Sequence, residues 1–124
     1  MIRILIADDH PAMRQRIKQL IGEGFPAAYL SEAEDTVSLL SLVSENEWDI
    51  IISDLAMPGG GGLFALEKIK QIKPHIPVLI ISTYPEDQYA DHVIREGAAA
   101  FLNKSRANED LVTITKNILM QSGK

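Results

Sequence analysis

Residues 2–11 read Ile2-Arg3-Ile4-Leu5-Ile6-Ala7-Asp8-Asp9-His10-Pro11, an apolar run that breaks off at two carboxylates and then meets a proline. β-branched residues fit a pleated, buried strand. Proline suits the first turn of a helix, where its missing N–H costs nothing. A helical face follows at once in Met13, Ile17, Leu20 and Ile21. The stretch therefore predicts a strand, a charged strand end and a helix, in that order.

The same alternation runs outward along the chain. Further apolar runs cover residues 50–53, 78–82 and 99–102, with a weaker one at 27–33. Helically spaced faces lie between and after them: Val37, Leu40 and Val43; Leu63, Leu66, Ile69 and Ile72; Tyr89 and Val93; Leu111, Ile114 and Ile118. Gly22 and Gly24 are expected to end the first helix, and Pro74 with Pro77 to separate the third helix from the fourth strand. Strands that are apolar throughout are buried on both faces. Five such βα units predict an α/β fold, a doubly wound five-stranded parallel sheet of the flavodoxin-like (βα)5 kind. The expected order is 2-1-3-4-5, with the weak second strand at an edge.

Size and composition agree with one domain over residues 1–124. The chain has 124 residues, 46% hydrophobic and 23% charged, an ordinary globular balance. Its 12 Lys+Arg against 17 Asp+Glu give a net charge of −5, which argues against broad contact with nucleic acid or an anionic membrane. Cysteine is absent, so disulfides, thiolate metal sites and cysteine nucleophiles are excluded. No apolar run approaches a membrane span, the apolar start is too short for a signal peptide core, and the cytoplasm is the expected compartment.

In such a sheet all strands end on one edge, where ligands bind. The first strand ends in Asp8 and Asp9, the third in Asp54, and the fourth in Ser82 and Thr83; Lys104 follows the fifth. Strands one and three are expected as neighbours, roughly 4.8 Å apart. Three carboxylates then converge and raise one another's pKa. A hard cation such as Mg2+ would relieve them while leaving positions open for a phosphoryl oxygen. An ammonium and a hydroxyl across the crevice suit the charge of that group.

These residues resemble a known family. Ile4-Leu5-Ile6-Ala7-Asp8-Asp9-His10-Pro11, Asp54-Leu55-Ala56-Met57-Pro58-Gly59, Val78-Leu79-Ile80-Ile81-Ser82 and Gly97-Ala98-Ala99-Ala100-Phe101-Leu102-Asn103-Lys104 together look like the receiver domain of two-component response regulators. The Asp-Asp-His-Pro opening and the Met-Pro-Gly after Asp54 are similar to the subgroup that precedes LuxR-type helix-turn-helix output domains. The resemblance implies a phosphoacceptor at Asp54, direct metal ligation by Asp9, ordering of the metal's waters by Asp8, and a further ligand in the Ala56 carbonyl. It implies a switch hydroxyl at Ser82, a coupled switch aromatic at Phe101, and pairing of Lys104 with phosphoryl oxygens. It also implies a histidine kinase as donor, homodimerisation on phosphorylation, and DNA contact only through an output domain beyond this chain. Ser105 stands where the family commonly has proline, and residues 59–62 are richer in glycine than is usual, which suggests a mobile loop.

Plainer roles are expected elsewhere. Asp49 and Trp48 read as structural, Glu34, Asp35 and Thr36 as a helix start, and His75 and His92 as solvated. His10 reads as a capping or surface residue and not as a metal ligand. Residues 60–65 match the dinucleotide pattern G-x-G-x-x-A, but they follow the third strand, not the first, and Asp54 would meet the pyrophosphate. An aspartyl phosphohydrolase would need a second aspartate at position 56, which is Ala56. A flavin carrier would need hydroxyls after the first strand, where two carboxylates stand.

Overall fold

The structure, a computed structural model, describes all residues, Met1–Lys124. Five parallel strands, β1 (Arg3–Ala7), β2 (Tyr29–Ala33), β3 (Ile50–Asp54), β4 (Val78–Ser82) and β5 (Ala100–Asn103), form one sheet in the order β2-β1-β3-β4-β5. They alternate with five helices, α1 (Pro11–Gly24), α2 (Thr36–Glu45), α3 (Gly61–Ile72), α4 (Glu86–Arg95) and α5 (Ala107–Gln121). The predicted topology is the observed one.

The sheet is buried on both faces because successive side chains point to opposite sides. Ile4, Ile6, Ile50, Ile52, Leu79, Ile81 and Leu102 meet α1 and α5. Leu5, Ala7, Ile51, Val78, Ile80 and Phe101 meet α2, α3 and α4. Every residue of β3 and β4 is buried, whereas β2 is half-exposed at its edge. That difference is why the second strand reads as weak: an edge strand with one wet side needs fewer apolar residues.

Boundaries shift slightly at two strands: the second starts at Tyr29, since Pro26 and Ala27 form a turn before it, and the fifth runs from Ala100 to Asn103. The third ends at Asp54, as expected, so the site carboxylate belongs to the strand itself. Helix α1 passes through Gly22 and ends at Gly24. Buried Ile17 and Ile21 hold its last turns against the sheet, which outweighs the roughly 1 kcal/mol cost of glycine in a helix.

Loops at the N-terminal edge of the sheet are structural, as expected. Asp49 accepts from the Arg3 N–H at 2.8 Å and pairs with Lys124 Nζ at 2.9 Å. The Arg3 guanidinium lies over the Tyr29 and Trp48 rings, 4.5 and 5.0 Å from their centroids, a cation–π arrangement. Trp48 is buried and donates through Nε1 to the Leu42 carbonyl at 3.0 Å.

Asp35 caps α2, accepting from the Ser38 N–H at 2.8 Å and the Ser38 hydroxyl at 2.7 Å. The Ser38 N–H, then its hydroxyl, lowers the Asp35 pKa below the ordinary carboxylate value. A lowered carboxyl contributes stability that is present above its unfolded pKa and is lost as pH falls through the folded one. Asp35→Ala is therefore expected to melt at a lower temperature than the parent at neutral pH, with the gap narrowing in acid. A gap that stays constant down to pH 2 would show that the carboxylate is not the stabilising group.

Candidate functional site

The C-terminal edge of the sheet gathers the predicted charges. β1 and β3 pair in register with Ala7 opposite Ser53, so the next residues, Asp8 and Asp54, lie side by side. Asp8 is 0% exposed and Asp54 3%. Asp8 Oδ1 accepts from the His10 N–H at 2.9 Å, an Asx-type turn that swings the chain from β1 into α1. Asp54 Oδ1 accepts weakly from the Ala56 N–H at 3.3 Å. Lys104, just past β5, places Nζ 2.8 Å from Asp8 Oδ2 and 3.2 Å from Asp54 Oδ2.

The crevice remains short of positive charge and of donors. One ammonium faces three carboxylates and pairs with two of them. Beyond their ion pairs with Lys104 and His10, the buried Asp8 Oδ2, Asp9 Oδ1 and Asp54 Oδ2 have no hydrogen-bond partner. Burial is the main influence raising the Asp54 pKa above the ordinary value; the Lys104 ammonium opposes it and the Asp8 charge adds to it. Buried oxygens without donors are costly. This donor set of hard, anionic oxygens fits a divalent cation. Asp8, Asp9, His10 and Asp54 each offer one ligand atom within 4.8 Å of the others.

Of the predicted residues, Asp8, Asp9, Asp54 and Lys104 come together here, and Ala56 sits at the turn beyond Asp54. Ser82 is buried at the end of β4, the strand next to β3. Its hydroxyl oxygen accepts from the Tyr84 N–H at 2.9 Å, which leaves its proton free to donate. Phe101 lies away from the crevice, 8% exposed, in the apolar cluster that includes Val93 and Ala98.

His10 is the exposed N-cap residue of α1, as expected, and its closeness to the crevice carboxylates is what sequence reasoning did not foresee. Its ring is 67% exposed, yet Nδ1 lies 3.1 Å from Asp9 Oδ1 and 3.2 Å from Asp8 Oδ1. The signal was present: an aspartate at a strand end folds the residue two positions on back against its own carboxylate. Arg14 was also missed. It donates from Nη1 to the Asp8 carbonyl at 2.7 Å and pairs with Glu32 on β2 at 3.1 Å, fastening α1 beside the crevice. His75 and His92 are exposed and pair only with Glu47 and Glu96, as expected.

The glycine run has a geometric cause. Gly60 adopts φ +121°, where a Cβ would lie 2.8 Å from the Phe64 ring. Gly62 has an ordinary φ, but its N–H donates to the Leu55 carbonyl at 2.7 Å. A Cβ there would sit 2.1 Å from the Asp54 carbonyl oxygen. The start of α3 is thus pressed against the turn that carries Asp54, and the path of the chain accounts for the glycines without appeal to mobility.

A flavodoxin-like sheet with a buried acidic crevice and an opposed lysine at its C-terminal edge defines an α/β module built to manage a highly charged group. Residues 4–116 match the response regulator receiver domain family, and the chain belongs to that family. It is a receiver domain of the two-component systems, a signalling module of a kind phosphorylated by histidine kinases. The chain is 38% identical to the glycerol metabolism activator of Pseudomonas putida over 120 residues, which cover 96% of this chain and 54% of that protein. It is 36% identical to the transcriptional regulatory protein YdfI of Bacillus subtilis over 126 residues, 98% of this chain and 59% of that one. The chain therefore spans a little over half the length of these relatives. Among solved structures, a LuxR-family two-component response regulator from Aurantimonas sp. superposes with a TM-score of 0.88 at 32% identity, covering 96% of this chain and 85% of that one. A response regulator receiver domain protein from Clostridium thermocellum gives 0.89 at 28%, covering 99% and 98%. No helix is long and apolar enough to cross a membrane.

Proposed function

We propose that Asp54 accepts a phosphoryl group from a histidine kinase, with Mg2+ held in the crevice. The observation that carries this reading is the Asp54 carboxylate itself: buried, short of donors, and facing both Lys104 and two further carboxylates. Asp9 and Asp54 would hold the metal directly with the Ala56 carbonyl, and Asp8 would order its waters. When bound, the metal would supply positive charge to phosphoryl oxygens. An Asp54 carboxylate oxygen attacks phosphorus, the O–P bond forms, and the P–N bond to the donor imidazole breaks with its electron pair leaving on nitrogen. Lys104, already aimed at Asp54 Oδ2, then pairs with the new oxygens. A small phosphoryl donor with Mg2+ should add one group per chain. Continuous donor turnover without a modified chain would instead indicate a hydrolase.

The output belongs to the same proposal. A dianion at Asp54 would accept the free proton of the Ser82 hydroxyl, and the rotation that brings Oγ toward it would draw that oxygen away from the Tyr84 N–H. Release of Tyr84, which begins the loop into α4, would alter the face made by α4, β5 with Phe101, and α5. That face is proposed to support homodimerisation, and a LuxR-type domain in a longer protein to contact DNA and control transcription in the cytoplasm. Ser82→Ala should still be phosphorylated but should lose most of the amide chemical-shift change around Phe101. Unchanged shifts relative to the phosphorylated parent would refute this coupling.

A further inference from the structure

Asn103 is the last residue of β5, directly opposite Ser82 at the end of β4. Paired residues of neighbouring strands project from one face of a sheet, so its side chain reaches the loop that leaves β4. There Nδ2 donates to the Tyr84 carbonyl at 3.1 Å, and Oδ1 accepts from the Ser105 N–H at 3.0 Å. Only this orientation of the amide suits both partners; the flipped one would set donor against donor and acceptor against acceptor. The second bond exists because residue 105 is a serine, since a proline there would have no N–H to give. Tyr84 is thereby held at three points. Its N–H donates to Ser82 Oγ at 2.9 Å, its carbonyl accepts from Asn103, and its ring stacks on Tyr89 of α4 with centroids 5.0 Å apart.

We propose that Asn103 is a positioning residue of the switch: acting through Tyr84, it holds the β4–α4 loop in its resting place and sets how readily Ser82 leaves for a phosphoryl group. This rests on the reading that Asp54 is phosphorylated and that Ser82 turns toward it. Ser82 Oγ cannot swing toward Asp54 and keep the Tyr84 N–H unless Tyr84 moves with it. The Asn103 bond ties the carbonyl of that same residue to β5, so Tyr84 is kept from following. In the switched state the loop gives up this bond, and the stacked Tyr89 passes the movement to α4. A contact made in the resting state alone favours that state, so its loss moves the equilibrium toward the switched one. One net hydrogen bond is worth a shift of about 3- to 10-fold. The other arm of the amide closes the turn that carries Lys104, so one side chain joins the strand ends that bring the hydroxyl and the ammonium.

The test uses the full, tag-free chain and two variants. Asn103→Ala loses both arms, whereas Asn103→Ser keeps a hydroxyl that can accept from the Ser105 N–H but falls short of the Tyr84 carbonyl. Amide exchange of Tyr84, followed by NMR in the unphosphorylated, metal-free chain, should speed up about 3- to 10-fold in both variants. The initial rate of phosphoryl uptake from a small acyl phosphate with Mg2+ should rise by a similar factor in both, where damage to the fold alone would lower it. A Tyr84 amide as well protected in Asn103→Ser as in the parent would make Asn103 a turn cap only and overturn the proposal. Faster exchange with uptake no faster than the parent's would overturn it as well. A parent that takes up no phosphoryl group would overturn the acceptor reading and this role with it; a parent that does take one up leaves that reading standing whatever the variants show.

Discussion

Asp54→Asn should take up no phosphoryl group from a small donor with Mg2+, where the parent should take up one. The asparagine keeps the volume and the contact with the Ala56 N–H but offers no anionic oxygen to phosphorus. Mass spectrometry of the intact chain reads the difference as present or absent. An adduct of equal abundance in the variant would move the acceptor elsewhere in the crevice, to Asp8 or Asp9. The same substitution should raise the melting temperature of the metal-free chain at neutral pH. Burial lifts the Asp54 pKa, so the folded state holds its proton more tightly than the unfolded one. Stability then rises as pH falls from the raised folded value toward the ordinary carboxylate value, and the ionised group is a cost above that window. Asparagine removes the cost, so the variant's advantage should shrink in acid and should also shrink when Mg2+ is added to the parent.

Gly62→Ala should destabilise the chain by at least about 3 kcal/mol, the upper end for forcing atoms into a packed site. Its Cβ would lie 2.1 Å from the Asp54 carbonyl oxygen, 2.7 Å from Leu55 Cα and 2.9 Å from the Leu55 carbonyl oxygen. All three are backbone atoms, so no rotamer change relieves the clash; α3 must move off β3. Two other glycines calibrate the experiment. At Gly22 the nearest atom to a Cβ is 3.9 Å away and φ is ordinary, so Gly22→Ala should stabilise by up to about 1 kcal/mol. At Gly61 there is space but φ is +86°, so alanine should cost about 1–2 kcal/mol in backbone strain alone. Thermal melts rank the three. A Gly62→Ala chain that melts no lower than Gly61→Ala would show that close approach does not govern this turn.

What the sequence disclosed depended on how strongly environment constrains residue type. β1, β3 and β4 were legible because burial on both faces leaves only apolar choices, and β2 was placed at an edge because its composition is mixed. Asp8, Asp9, Asp54 and Lys104 were found by listing strand ends, since a parallel sheet sends every end to one edge. His10 was read as a capping or surface residue and is one, but its approach to Asp8 was not legible, because a turn geometry and not a periodicity brings it back. The position of Phe101 was not either: apolar character marks a side chain as buriable, and only the packing of β5 against α4 decides that it is buried now. Gly62 carries no sequence mark distinguishing it from Gly61, although one is needed for space and the other for its backbone angle.

The lone tryptophan is placed at the opposite end of the molecule from all this chemistry. Trp48 precedes β3 and Asp54 ends it, four residue steps from Ile50 along a strand, or about 13 Å. Its indole is enclosed among Arg3, Tyr29 and the Leu42 carbonyl, so its emission reports whether that end of the sheet is intact. Cation binding in the crevice should leave the intrinsic fluorescence almost unchanged, and unfolding should shift it strongly to the red. The chain therefore carries a native optical probe that registers collapse of the scaffold while staying dark to events at the crevice. A fluorescence change on phosphorylation would then measure how far a signal from Asp54 travels back down β3.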